Sequence, residues 1–363
     1  MFAGSGTVGV ESFISGRNSI LIDINPLLPE LMELKLFRTP IDEDKLISEA
    51  KDIITPGASE FQPDWKNLNY WYREPILEIL KKYWGKFYNN DYTYSLILKY
   101  ALLYISRKFS NADDSIPKLF SSKRKKSHIE KLLKSETWKE KLKTSFLERV
   151  IYIARCIGEF QKLAPTDPTP YYKAIVGDSY KLDLNKSEIP EKIDLIITSP
   201  PYLQAQEYIR SIKLDLYWSG YNDAYIRKLS RTEIPYRKCE GGLSSPIIEK
   251  LKEHIKYSSL SKTGKRIFDS YFYYTLKTLE KYSGLLKKGG KLCVFVGSPK
   301  IEGTEVNIWE VIMEYFLDTG EFRVIDVIAD PIVSKKIPLN RRNANPNGMS
   351  YEYFVILEKE RAL

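Results

Sequence analysis

The chain has 363 residues, 43% hydrophobic and 28% charged, the balance of an ordinary globular protein long enough for a large core and more than one lobe. Its 56 lysines and arginines outnumber its 47 acids, and the formal charge of +9 suits a phosphate-rich partner. Cys156, Cys239 and Cys293, with His128 and His254, match no metal spacing, and no apolar run reaches the length of a membrane span; neither metal nor membrane is expected, and a reduced, cytoplasmic setting is.

The first stretch, MFAGSGTVGV, places Gly4, Gly6 and Gly9 in a G-x-G-x-x-G loop. Residues 7–16 read as a short helix ended by Gly16, and NSILID as a strand ending in Asp23, with Asn-Pro as a stop. Loop, helix, strand and acid make half of a doubly wound α/β unit, in which the acid takes a ribose hydroxyl. The pattern does not separate NAD from S-adenosylmethionine. No Gly-Lys-Ser/Thr follows, so it is not a Walker loop.

Residues 27–172 change character. Segments such as YTYSLILKYALLYISRKF and TWKEKLKTSFLERVIYIARCIGEFQKL space their apolar residues for helices, which predicts an inserted helical lobe. Within it, Lys123, Arg124, Lys125 and Lys126 form a cationic run, either a DNA-contacting patch or a solvated helix face.

The α/β pattern resumes at residue 173. KAIVGDS reads as a strand and a turn carrying Asp178, and KIDLIITSPPY as an apolar strand running into a rigid turn, Ser199, Pro200, Pro201 and Tyr202. The segment LQAQEYIRSIKLDLYWSGY that follows reads as a helix; its Arg210 and Lys213 either approach phosphate or lie on a solvated face. SRTEIPYRK, with Arg231 and Arg237, reads as a lid or a DNA-facing loop. LLKKGGKLCVFVGS is expected to be a helix end, a Gly-Gly turn and a strand; EVNIWEVIMEYFLDTG a helix closed by Gly320; FRVIDVIAD and YEYFVILEK two closing strands. The basic loop between the last two carries Arg341 and Arg342, further candidates for DNA contact.

TSPPY sits at a strand's carboxyl end, where open α/β sheets bind ligands. Together with FAGSGT it resembles the S-adenosylmethionine-dependent amino-methyltransferases that modify exocyclic nitrogens of nucleic-acid bases. In that family FxGSGT binds the cofactor and (S/N/D)-P-P-(Y/F) holds the target base. The matching residues here are Phe2, Ala3, Gly4, Ser5, Gly6 and Thr7, then Ser199, Pro200, Pro201 and Tyr202. A serine at the first position is most typical of N4-cytosine DNA methyltransferases.

The resemblance covers residues 1–25 and 173–359. It implies an α/β fold: a Rossmann-like methyltransferase sheet with helices on both faces, built from 1–26 and 173–363, with 27–172 as a helical, target-recognition lobe. It implies S-adenosylmethionine as cofactor, double-stranded DNA as partner, and methylation of cytosine N4 in a restriction-modification or defence system. Asp23 would bind the ribose. Asp178 would accept from the cofactor's adenine amino group, although the residues alone fit a turn-capping Asp equally well.

The chemistry accounts for the residue types. An exocyclic amine is a poor nucleophile because its lone pair is delocalised into the ring. Ser199 Oγ and the Pro200 carbonyl can hold its N–H bonds out of plane, two prolines fix that carbonyl, and Tyr202 offers a flat face to a flipped base. No Pro-Cys nucleophile is present, which argues against C5-cytosine methylation. The alternatives are N6-adenine methylation by the same machinery, an RNA base methyltransferase, an inactive DNA-binding subunit and, last, an NAD dehydrogenase, which leaves TSPPY unexplained.

The sequence departs from the family at its start. Family members precede FxGSGT with a central strand, and here Met1 stands in its place. A gap is therefore expected between the strands ending at Asp23 and Thr198, filled by a companion polypeptide or by a longer parent chain, or closed by rearranged pairing.

Overall fold

In the computed structural model, all residues are described except 56, 116–117, 185–188, 191, 204–206, 334–348 and 362–363. Arg341 and Arg342 thus lie outside the described residues. The glycine loop leads into α1 (Thr7–Ile14), β1 (Ser19–Asp23) and α2 (Leu28–Lys35). The lobe follows with α3 (Glu43–Ile53), α4 (Leu68–Trp71), α5 (Glu74–Tyr88), α6 (Ser95–Lys108), α7 (Lys123–Leu133) and α8 (Trp138–Leu163). Then come β2 (Tyr172–Val176), β3 (Ile193–Thr198), α9 (Tyr208–Ser211), α10 (Lys213–Trp218), α11 (Asp223–Ser230), α12 (Pro246–His254) and α13 (Lys262–Ser283). β4 (Leu286–Gly297), β5 (Lys300–Ile301), β6 (Thr304–Glu305), α14 (Ile308–Leu317), β7 (Phe322–Pro331) and β8 (Tyr351–Lys359) complete the chain.

The fold is mixed α/β. β1 pairs in parallel with β2, and β3 pairs in parallel with β4, which continues antiparallel through β8 to β7. Among the described residues no ladder joins β1 to β3, so each keeps one edge without a partner strand, and pairing has not rearranged to close the expected gap. Alternation along β1 separates two cores. Leu21 packs with Phe13, Met32 and Phe160 from α1, α2 and α8, while its neighbour Ile22 joins the core under α12, α13 and α14.

The lobe buries its own core, with Trp84, Leu98, Leu102, Phe146 and Val150 almost wholly shielded. α8 is 26 residues long and buries Leu142, Phe146, Val150, Ile153, Ile157 and Phe160, the spacing of one helical face. Its upper part serves the lobe and its end, at Phe160, serves β1. The lobe is not closed at residue 172. Leu214 and Trp218 of α10 are fully buried in its core, and Trp218 Nε1 donates to the Tyr72 hydroxyl at 2.7 Å.

One expectation is corrected. Instead of a helix end, a Gly-Gly turn and a short strand, residues 286–297 form one long strand. Gly289, at φ +77, makes a bulge, and the register on β3 shifts between Ile193 and Leu195. A Cβ on Gly290 would come within 2.8 Å of the Lys287 carbonyl oxygen, so the ladder passes here only because the residue is glycine.

Candidate active site

The glycine loop folds back over the end of β1. Ala3 N–H donates to the Ile22 carbonyl at 3.1 Å, on the edge of β1 away from β2, and Gly6 N–H donates to the Ala3 carbonyl at 2.8 Å. Phe2, Gly4 and Gly6 all hold positive φ, +55, +57 and +79. For the two glycines this costs little; for Phe2 it is a strained conformation held by its surroundings. Gly6 and Gly9 are buried against Met32 and Leu21, while Gly4, Ser5 and Thr7 face solvent. Lys35 of α2 ties the loop from the other side, donating to the Ser5 carbonyl at 2.7 Å.

Asp23 is the anchor of this loop. Its Oδ2 accepts the Gly4 N–H at 2.7 Å and its Oδ1 accepts the Asn25 N–H at 2.8 Å. Burial pushes its carboxyl above the usual range, and the two N–H donors oppose that rise.

The double-proline turn lies beside it. Thr198 is buried at the end of β3, and its Oγ1 donates to the Met1 carbonyl at 2.6 Å. Ser199 beyond it is exposed and Pro200 buried. Tyr202 is half-buried; its hydroxyl donates to Glu352 of β8, and its ring packs against Gly297 at the end of β4. Burial first, and Glu352 second, push the Tyr202 hydroxyl far above its ordinary range, so it stays protonated.

Tyr208, which the sequence did not single out, lies near both turns: burial raises its hydroxyl above the ordinary range, and Asp23 and Glu233 act on it electrostatically. Tyr271 stands behind it. Its hydroxyl is buried with no hydrogen-bond partner among the described residues, and Tyr202 and Tyr208 act on it electrostatically.

Asp178 is already engaged. Its Oδ1 accepts the Tyr180 N–H at 3.0 Å, the turn-capping role, and its Oδ2 takes Arg237 at 2.7 Å. Arg237, expected in a lid or a DNA-facing loop, is 5% exposed, with its guanidinium 3.8 Å from the centre of the Tyr274 ring. No local pattern announces a pairing 59 residues apart.

The cationic run opens α7. Arg124 pairs with Asp113 at 2.9 Å. Lys125 is 4% exposed and spends its charge inside the lobe, on Asp114 at 2.6 Å and the Lys108 carbonyl at 2.8 Å. Lys126 sits 4.7 Å over the Tyr70 ring, and Lys123 faces solvent. Two members of the run therefore hold the lobe together.

No protein-family model matches the chain. Over 216 residues, 55% of its length, it is 26% identical to the Type II methyltransferase M.MvaI of Kocuria varians, covering 45% of that protein. Over 253 residues, 64% of its length, it is 26% identical to the Type II methyltransferase M.BsoBI of Geobacillus stearothermophilus, covering 49% of it. The chain is similar to type II methyltransferases. It spans about half the length of the curated relatives it matches. Among the described residues no acid, histidine or cysteine cluster could hold a metal, and no helix is long and apolar enough to cross a membrane.

Proposed function

We propose that this chain supplies the catalytic half-sites of an S-adenosylmethionine-dependent DNA methyltransferase acting on an exocyclic amino group, cytosine N4, within a restriction-modification or defence system. The observation that carries this reading is the juxtaposition of the glycine loop and the double-proline turn, tied by Thr198 to Met1. The likeness to type II methyltransferases agrees with it.

The residues present fit the cofactor. Positive φ at Gly4 and Gly6 leaves backbone unshielded by Cβ beside Asp23, a cradle for an adenosyl group with an acid in reach of its ribose. S-adenosylmethionine supplies an electrophilic methyl group when bound. Phe2 to Thr7 would hold it, and Asp178 would serve its adenine end only by sharing with Arg237. Ser199 Oγ and the Pro200 carbonyl would orient the amine, and the Tyr202 ring would back the base, its tilt set by Glu352. Positioning is then the main source of rate. N6-adenine transfer by the same groups is the second reading, since both targets present an exocyclic amine.

The reading includes a further strand between β1 and β3, carried by a companion polypeptide or a longer parent chain; it is supported by the edge without a partner strand that each of the two keeps among the described residues. The test is tritiated-methyl transfer to defined duplexes, with and without the product of the adjacent upstream reading frame. Nucleoside mass spectrometry identifies the base. Methyl transfer to RNA alone, or none to any duplex in either arm, would reject the assignment.

A further inference from the structure

A second concavity lies between the lobe and the helices that follow the double-proline turn. It is a cleft of about 500 Å³, within the roughly 300–1,000 Å³ of sites that enclose small ligands. On the lobe side it is lined by Trp65, Tyr70 and Trp71, and on the opposite side by Arg210, Lys213 and Glu233.

The aromatic side is a platform. Trp65 stacks on Tyr217 at 4.4 Å with the planes 8° apart, and on Trp71 at 5.8 Å and 23°. Tyr70 is 53% exposed at the rim, with Lys126 over its ring. Tyr217 and Trp71 cover Trp65, and Tyr70 is the accessible ring; such a flat surface suits a nucleobase, whose π-face stacks whatever its sequence. The cations complete the match. Lys213 Nζ lies 5.4 Å over the Trp65 ring, and Arg210, bonded to Glu207 at 2.8 Å and to the Leu119 carbonyl at 3.1 Å, is held in a fixed pose.

The cleft is joined to the candidate active site through α9. Glu207, which opens α9, and Arg210, within it, line the cleft, and α9 follows the double-proline turn in the chain. Glu233, 4% exposed, pins this short helix by accepting the Ile209 N–H at 2.8 Å. Whatever occupies the cleft thus touches the helix that follows that turn.

We propose that this cleft binds one nucleotide of the DNA neighbouring the target base, the base lying against Tyr70 at the rim beside Trp65 and the phosphate meeting Lys213 and Arg210. The inference rests on DNA being the substrate. It makes α9 part of the surface that meets the flanking sequence.

The test uses the full chain and random-sequence duplexes carrying 5-iodouracil. Ultraviolet cross-linking and peptide mapping should place adducts on Trp65 or Tyr70. Tyr70→Ala and Lys213→Gln, neither of which empties a core, should each weaken duplex binding about 5- to 150-fold, with the dissociation constant for S-adenosylmethionine unchanged. Duplexes bound normally by both variants, or adducts only elsewhere, would overturn the cleft and leave the methyltransferase reading standing. No binding of any duplex, or binding of RNA in its place, would overturn both.

Discussion

The hydroxyl of Thr198 donates a 2.6 Å hydrogen bond to the carbonyl oxygen of Met1, joining the end of β3 to the start of the glycine loop. The bond spans the space where β1 and β3 lack a shared ladder, and Ala3 completes the bridge by donating to Ile22. Thr198→Val keeps the shape and removes the donor. The expected cost is about 1 kcal/mol of stability, with S-adenosylmethionine affinity falling about tenfold, the equivalent of about 1.4 kcal/mol. Calorimetric titration measures it, and Thr198→Ser should restore it. Equal affinity in the valine variant would show that the loop stays placed without this bond.

Asp23 carries two duties that substitution can separate. Its oxygens hold the Gly4 and Asn25 N–H groups, and the site reading adds a ribose contact. Asp23→Asn retains one acceptor, so thermal melting should shift by only a few degrees, while cofactor affinity falls far more than stability. Asp23→Ala orphans both N–H groups and should lose stability as well. A variant pair with matching losses in both measurements would reduce Asp23 to a loop anchor.

Ser199 and Tyr202 should fail in different ways. Ser199 is exposed, so Ser199→Ala should leave melting unchanged and lower methyl transfer about 100-fold, the scale of removing one positioned polar contact. Tyr202→Phe keeps the ring and cuts the link to Glu352. It should lower transfer less than Tyr202→Ala, which removes the face itself. Single-turnover assays with retained cofactor binding distinguish these, and full activity in both Ser199→Ala and Tyr202→Ala would refute the catalytic assignment.

Glu233 makes stability depend on pH. Burial raises its carboxyl from 4.5 to about 7, with Glu207 adding to the rise and the Ile209 and Tyr208 N–H groups opposing it. Between those values the folded chain holds a proton that the unfolded chain has released, so stability falls as pH climbs through this window, by roughly 3 kcal/mol at most. Glu233→Gln keeps an acceptor for Ile209 and cannot ionise. It should melt with the parent near pH 5 and above it near pH 8. Parallel melting curves at both pH values would mean the carboxylate ionises at little cost.

The elements with a local signature were legible: the short apolar runs that became β1, β3, β7 and β8, and the long apolar stripe of α8. Gly16 and Gly320 ended helices as their left-handed conformations require. The bulge at Gly289 was not legible, because Gly-Gly is also the commonest wording for a turn, and only the register on β3 decides between them. The pairing of Asp178 with Arg237 and the anchoring of α9 by Glu233 depend on partners distant in the chain, and no spacing rule reaches them. Lys125 shows the converse. A four-residue cationic run reads as surface, yet one member is drawn inward because Asp114 and the Lys108 carbonyl together satisfy it.

The burial of Leu214 and Trp218 under the lobe has a consequence for any graft of the lobe onto another chain. Residues 27–172 cannot be transplanted as a cassette: the graft would arrive with an indole-sized hole, and the recipient would keep an indole with nowhere to go. A working chimaera has to carry α10 with the lobe, and since Leu216 and Tyr217 on the same helix pack with Leu27, Ile209 and Ile226, the seam has to be resewn there too.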